Sequence, residues 1–210
     1  MTAGAGRVWG GMTHAEREQR RAEQLLEAGL EVFGTRGWYS TTVRDVCREA
    51  NLSQRYFYEH FADREALFLA VVDRIAEQVA DVVRGAANAP GQTAHEQATG
   101  VLTALAESFA ADPRTVRVAL VESFATEAFR RRRAELLAGF ADLASRLMTS
   151  LSPEARRVDR RGLQLSALIL SGGLAEALVA SLSERPPASP RVLVAHLTRL
   201  YTAAAALDAA

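Results

Sequence analysis

A chain of 210 residues, 49% hydrophobic and 24% charged, is long enough to bury one large core or two small ones. Its 25 acidic residues balance 25 basic ones, all of them arginine, so no global basic field draws it to nucleic acid and any DNA contact must come from a local patch. The single Cys47 excludes an internal disulfide and a cysteine-rich zinc site, and scarce aromatics beside abundant Ala and Leu favour an all-α fold.

Residues 1–12 are Gly-containing and lack the apolar core of a secretory signal; they read as a disordered leader of a cytoplasmic protein. Thr13 followed by Glu16 is a capping box that opens the first helix. Apolar positions at Ala22, Leu25, Leu26, Gly29, Val32 and Phe33 carry it to a stop at Gly37. Thr41 or Thr42 then caps a two-turn helix whose Val43, Val46, Cys47 and Ala50 share one face. Asn51 tolerates the left-handed backbone of a tight turn, Leu52 plugs the core, and Ser53 is a suitable N-cap for a short aromatic helix over 54–61. Within it Phe57 and Phe61 lie at i and i+4 on the core side, leaving a polar N-terminal end. Two short helices joined by such a turn form a helix-turn-helix.

Asp63 caps a long fourth helix with Leu67, Val71, Ile75, Val79 and Val82 on its buried side, and a loop follows over 85–91. Pro113, the Ser152-Pro153 pair and the stretch 185–190 punctuate further helices over about 92–110, 113–125, 127–150, 155–184 and 189–207. The longest apolar stretch, Leu163 to Leu182, approaches membrane-spanning length, but Gln164 and Glu176 interrupt it, and it reads as a buried interface helix without membrane contact. The expected organisation is all-α with about nine helices: the leader over 1–12, a three-helix helix-turn-helix domain over 13–62, and a helical domain over 63–210.

The run from Thr41 to Leu67, with Tyr58, His60 and Phe61 followed by Arg64, Glu65 and Leu67, closely resembles the DNA-binding domain of the TetR family. Asn51 stands where that family often has Gly, and Arg55 and Tyr56 stand where it often has a small residue. The resemblance implies that Arg44 and the tip Gln54, Arg55 and Tyr56 face base edges in the major groove. The chemistry is compatible, since Arg pairs bidentately with guanine and Gln with adenine. Thr42, Ser53, Tyr58, His60 and Arg64 are the expected phosphate contacts, which set register without reading sequence. For Arg44 the competing role is an exposed helix charge paired with Asp45 or Glu49.

The same resemblance implies that 63–210 is a ligand-binding and dimerisation domain and the protein a homodimer, since recognition helices about 34 Å apart enter successive major grooves of a palindromic operator. It also implies a small-molecule effector that releases the DNA. Ser171, Gly172 and Gly173 in an apolar helix, with Leu174, Leu197 and Tyr201, are the candidate dimer contacts. Phe68, His95, Phe109, Glu122, Phe124 and Ser145 are candidate pocket residues, although aromatic residues at helical spacing also serve as ordinary core. The run Arg130 to Arg133 spreads around more than one helical turn and reads as a solvated face. No paired carboxylates, metal-spaced histidines or phosphate loop point to an enzyme, a metal or a cofactor. An architectural or protein-binding helix-turn-helix without sequence readout is the alternative.

Overall fold

The computed structural model describes residues 13–87, 93–151, 160–183 and 189–207; the leader over 1–12, the Ser152-Pro153 break and most of the punctuation at 185–190 lie outside them. All regular structure among the described residues is helical. The chain divides into two compact units between Val72 and Asp73, ten residues beyond the expected boundary. The reason is that the first turns of the fourth helix give their apolar side chains to the first unit's core.

In the first unit, α1 (His14–Arg36) opens with the expected capping box. The Thr13 side chain accepts from the Glu16 N–H, and the Glu16 carboxylate accepts from Thr13 N–H at 2.6 Å. It ends at Gly37, whose φ of 81° suits a residue without a side chain. α2 (Val43–Glu49) is capped by Thr42, while Thr41 turns inward and donates to the Gly37 carbonyl at 2.8 Å. Asn51 adopts φ 53°, as the tight turn requires. α3 (Gln54–His60) follows, and α4 (Arg64–Ala87) starts with Asp63 accepting from the Ala66 N–H at 2.8 Å.

The core of this unit is aromatic and aliphatic. Phe68 meets Phe33 and Trp38 edge-on, with ring centroids 5.2 and 5.5 Å away. Leu25, Val46, Phe57, Leu67 and Val71 are fully buried around them. Gly29 lets α1 come close to α4: a Cβ there would lie 3.0 Å from a Val71 methyl and 3.3 Å from Leu67, so those side chains would have to give by a few tenths of an ångström. This packing fixes the angle at which the helix-turn-helix is presented.

In the second unit, α4 continues through Gly85 to Ala87, past the expected start of the loop; the remainder of that loop lies outside the described residues. α5 (Ala94–Ala111) carries another Thr13-like capping box at Thr93 and Glu96. Asp112 caps α6 (Pro113–Val116), with Pro113 at its first turn. The single helix expected over 113–125 is instead broken into α6, a π-helical turn (Arg117–Val121) and a 3-10 turn (Glu122–Phe124). The extra residue of a π turn rotates the face that follows, so Ser123 points inward while Val121 and Phe124 are exposed.

α7 (Glu127–Leu151), α8 (Arg160–Ser181) and α9 (Pro190–Leu207) complete the unit. Ala141, Leu163 and Ala167 form a buried cluster, with Tyr201 packed against it. The four arginines 130–133 point to different sides of the helix, although Arg131 and Arg132 share Glu135. Arg130 reaches Glu127 at 2.7 Å, Arg131 lies 3.9 Å from Glu135, Arg132 meets Asp73 at 2.6 Å, and Arg133 lies 3.6 Å from Glu176. They are dispersed, as their spacing predicts. By length and composition α8 could cross a membrane, and about 28% of its apolar window is buried within the unit.

Candidate nucleic-acid interface

The surface carried by α2, the Asn51 turn and α3 collects most of the residues expected at DNA. Arg44 is exposed on the first turn of α2 and makes no ion pair among the described residues. Its nearest candidate partner, Asp45, is taken by others. Thr42 holds the Asp45 carboxylate through its hydroxyl and, at 2.9 Å, through its N–H, and Arg48 and Arg36 pair with it. The two Thr42 hydrogen bonds, assisted by Arg48, lower the Asp45 pKa below the usual aspartate range. The neighbourhood therefore neutralises Asp45 internally and leaves the Arg44 guanidinium free for an external acceptor.

At the tip of α3, Gln54 and Arg55 are exposed. Arg55 bonds Glu59 at 2.9 Å through Nε, which leaves its terminal nitrogens outward. Tyr56 is half-buried beneath the Arg21 guanidinium of α1, 3.9 Å from the ring centroid. Arg21 is a contact that no local pattern announces, because it joins positions far apart in the chain. A cation over the face of a half-exposed ring restricts its rotamers.

Ser53 occupies the N-cap position of α3, but its hydroxyl makes no capping bond. Tyr58 is exposed, its ring edge-on to Phe57 at 5.3 Å. His60 is half-buried, and its Nε2 has no hydrogen-bond partner. Arg64 differs from the expectation of a phosphate contact. Its guanidinium lies 3.7 Å over the Trp38 ring and donates to the carbonyls of Trp38 and Thr41. Both carbonyls precede α2, and the Trp38 carbonyl also accepts from the Thr41 N–H at 3.3 Å.

Two predictions arise here. Replacing Arg64 by Gln is expected to destabilise the first unit by about 2 kcal/mol, the size of a charged hydrogen bond with cation–π support. In urea unfolding the midpoint should fall while the salt dependence of DNA binding stays unchanged; the reverse pattern would assign Arg64 to a phosphate. Replacing Thr42 by Ala removes a helix cap and is expected to cost about 1 kcal/mol at neutral pH. Because the folded Asp45 pKa is depressed, its contribution is present above the ordinary aspartate pKa and is lost as pH falls through the folded value. The gap between wild type and Thr42→Ala should therefore narrow in acid, measured by urea unfolding at neutral pH and near pH 3.

The other expected sites are dispersed. Phe68 belongs to the core of the first unit, packed against Phe33. His95 lies on an α5–α9 groove of about 650 Å³ in the second unit. Glu122 pairs with Arg117 at 3.3 Å, and Phe124 is exposed beneath the Arg133 guanidinium. Phe109 and Ser145 are half-buried. No one cavity collects these six among the described residues. Ser171 and Leu197 are buried within the unit, and Tyr201, which hydrogen-bonds Ser171, is largely buried too. Gly172 and Leu174 are half-exposed and Gly173 exposed, and a Cβ on either glycine would meet open space. The outward apolar surface is instead carried by Leu165, Leu168 and Ile169 of α8 with Val192 and Leu200 of α9.

Residues 25–71, from mid α1 to the early turns of α4, match the family model described as bacterial regulatory proteins, tetR family. The helix-turn-helix segment is thus similar to the tetR family over those residues. The HTH-type transcriptional activator FasR of Mycolicibacterium smegmatis is 36% identical over 70 residues, 33% of this chain and 32% of FasR. HTH-type transcriptional regulator HbdR of Aromatoleum is 30% identical over 71 residues, 32% of this chain and 31% of HbdR. The similarity to these curated relatives thus spans about a third of their length. The fold likeness reaches further. The fatty acid degradation regulator FadR of Bacillus halodurans superposes with a TM-score of 0.74 at 17% identity, covering 87% of this chain and 94% of that one. FadR of Bacillus subtilis in complex with stearoyl-CoA gives 0.71 at 16% identity, covering 87% and 98%. At such identities the likeness shows the shared all-helical fold.

Proposed function

We propose that this protein is a cytoplasmic transcriptional repressor of the tetR family that binds a palindromic operator as a homodimer and is released by a small-molecule effector. The observation that carries the reading is Arg44: an exposed guanidinium without an ion pair, beside an αL turn and the exposed tip of α3, in a segment matching a DNA-binding family. Arg44, Gln54, Arg55 and Tyr56 read base edges, and Ser53 and Tyr58 donate to phosphates, while Thr42, whose donors are both taken by Asp45, sets the start of α2 at that surface. Arg64 acts from inside by holding the chain ahead of α2.

The dimer reading is supported by the exposed apolar side chains of α8 and α9, Ile169 foremost at 64% exposure. Such a surface suits a second copy, and α8 serves there as an interface helix with no membrane role. Light scattering should give twice 22.7 kDa, and Leu165→Glu with Ile169→Glu should return the monomer. The effector reading is supported by the stearoyl-CoA bound in a structural neighbour. Selection of bound sequences from a random DNA pool tests the whole proposal: a palindrome with half-sites one helical turn apart supports it, and recovery of unrelated sequences overturns it. An effector must shift operator affinity by the factor by which operator shifts effector affinity, typically about 1–3 kcal/mol.

A further inference from the structure

The groove between α5 and α9 is lined along α5 at His95, Thr99, Thr103 and Glu107 and along the first half of α9. Its walls are slim: Ala106 and Ala110 face Val194 and Ala195. No aromatic side chain fills it, which leaves room for a narrow apolar chain within its roughly 650 Å³, a volume typical of small-molecule sites.

Three features make the α9 wall of this groove positive. Arg191 makes no ion pair among the described residues, and Arg199 has only the His196 ring nitrogen, at 3.3 Å. The first turn of α9 begins at Pro190 beside Arg191, about two helical turns from Arg199, and adds the positive end of an 18-residue helix. Against the two guanidiniums stands a single acid, Glu107, so the groove suits one negative charge better than two.

Thr198 supplies the fourth feature. It lies on the groove, is 2% exposed, and its hydroxyl has no hydrogen-bond partner. Neighbouring helical threonines behave otherwise: Thr202 donates to the Thr198 carbonyl at 2.9 Å and Thr99 to the His95 carbonyl at 2.8 Å. A buried hydroxyl that forgoes the usual bond to its own helix is open to a ligand acceptor.

We propose that this groove is a binding site for a small amphiphilic monocarboxylate, its carboxylate held by Arg199 and Thr198, with Arg191 adding positive charge farther along the same wall, and its chain lying along Ala106, Ala110 and Val194. The site is independent of operator binding, so its test uses the full chain without DNA. Isothermal titration calorimetry with octanoate, octanol and octyl phosphate should give saturable octanoate binding, at least about tenfold tighter than either of the others. Arg191→Gln with Arg199→Gln should reduce octanoate binding to the octanol level. The isosteric Thr198→Val should weaken it about threefold to tenfold and leave octanol unchanged. Both arginines are exposed, so the double variant should melt with wild type in circular dichroism, and Thr198→Val supplies a second reading if it does not. Absence of saturable octanoate binding, equal affinity for octanol, tighter binding of octyl phosphate, or octanoate affinity unchanged in a folded double variant would each overturn the proposal.

Discussion

Replacing Arg44 by alanine is expected to abolish operator preference while leaving the fold intact. One good bidentate contact to a base discriminates by about 1–3 kcal/mol. A two-fold symmetric dimer uses it twice, so the loss is about 2–6 kcal/mol, on the order of 30-fold to 10,000-fold in affinity. The structure removes the usual confusion with destabilisation. Arg44 is exposed and has no ion pair to lose, and the helix is held by the Thr42–Asp45 box beside it. Fluorescence anisotropy on the selected operator and on scrambled DNA checks this directly. A steep loss on the operator with little change on scrambled DNA is expected; an equal loss on both would reduce Arg44 to a phosphate contact and favour the architectural reading.

The second large effect concerns Phe68. Truncating a fully buried phenylalanine to alanine costs about 3–5 kcal/mol through lost burial and the cavity left behind. Here the ring is wedged edge-on between Phe33 and Trp38, so the upper half of that range is expected. A unit of this size is stable by only a few kcal/mol beyond that cost, since small domains bury a modest share of their surface. Phe68→Ala should therefore unfold the DNA-binding unit at moderate temperature and abolish operator binding with and without effector. Thermal melting followed by circular dichroism and by tryptophan fluorescence distinguishes the roles, because Trp38 sits in the same cluster. A variant that kept its melting temperature and lost only effector response would return Phe68 to a ligand pocket.

The comparison of these two residues shows where sequence reasoning has reach. The exposed place of Arg44 on the first turn of α2 was legible because it depends on a short stretch: the cap at Thr42, the i, i+3, i+4 stripe of Val43, Val46 and Cys47, and the left-handed turn at Asn51. Each involves partners within a few residues, and local chemistry leaves few alternatives. Phe68 was not legible as core of the first unit, because a phenylalanine one turn into a helix can face either unit. Arg64 was similarly hidden. Its motif position suggests a phosphate, while its partners Trp38 and Thr41 lie more than twenty residues earlier.

The helical half beyond α4 repeats the lesson with weaker local signals. The periodicity of α8 marks an apolar helix but supports more than one buried side. Tertiary packing turned Ser171 inward to Tyr201 and left Leu165 and Ile169 outside. The break at 117–124 carries no proline or glycine to announce it. The α5–α9 groove is a property of two helices whose sequence separation is about ninety residues, so no window along the chain contains it.

By itself, the sequence determined an all-helical chain with no net charge, its capped helix starts, and a helix-turn-helix between Thr42 and His60, because these follow from hydrogen bonds and periodicities that close within one or two turns. Only the tertiary structure decided that Arg64 and Phe68 serve the domain's interior, that Arg21 covers Tyr56, and that Thr198 faces a groove beside Arg191 and Arg199. Those outcomes depend on which distant surfaces meet, and side-chain chemistry alone is compatible with several answers until the packing selects one.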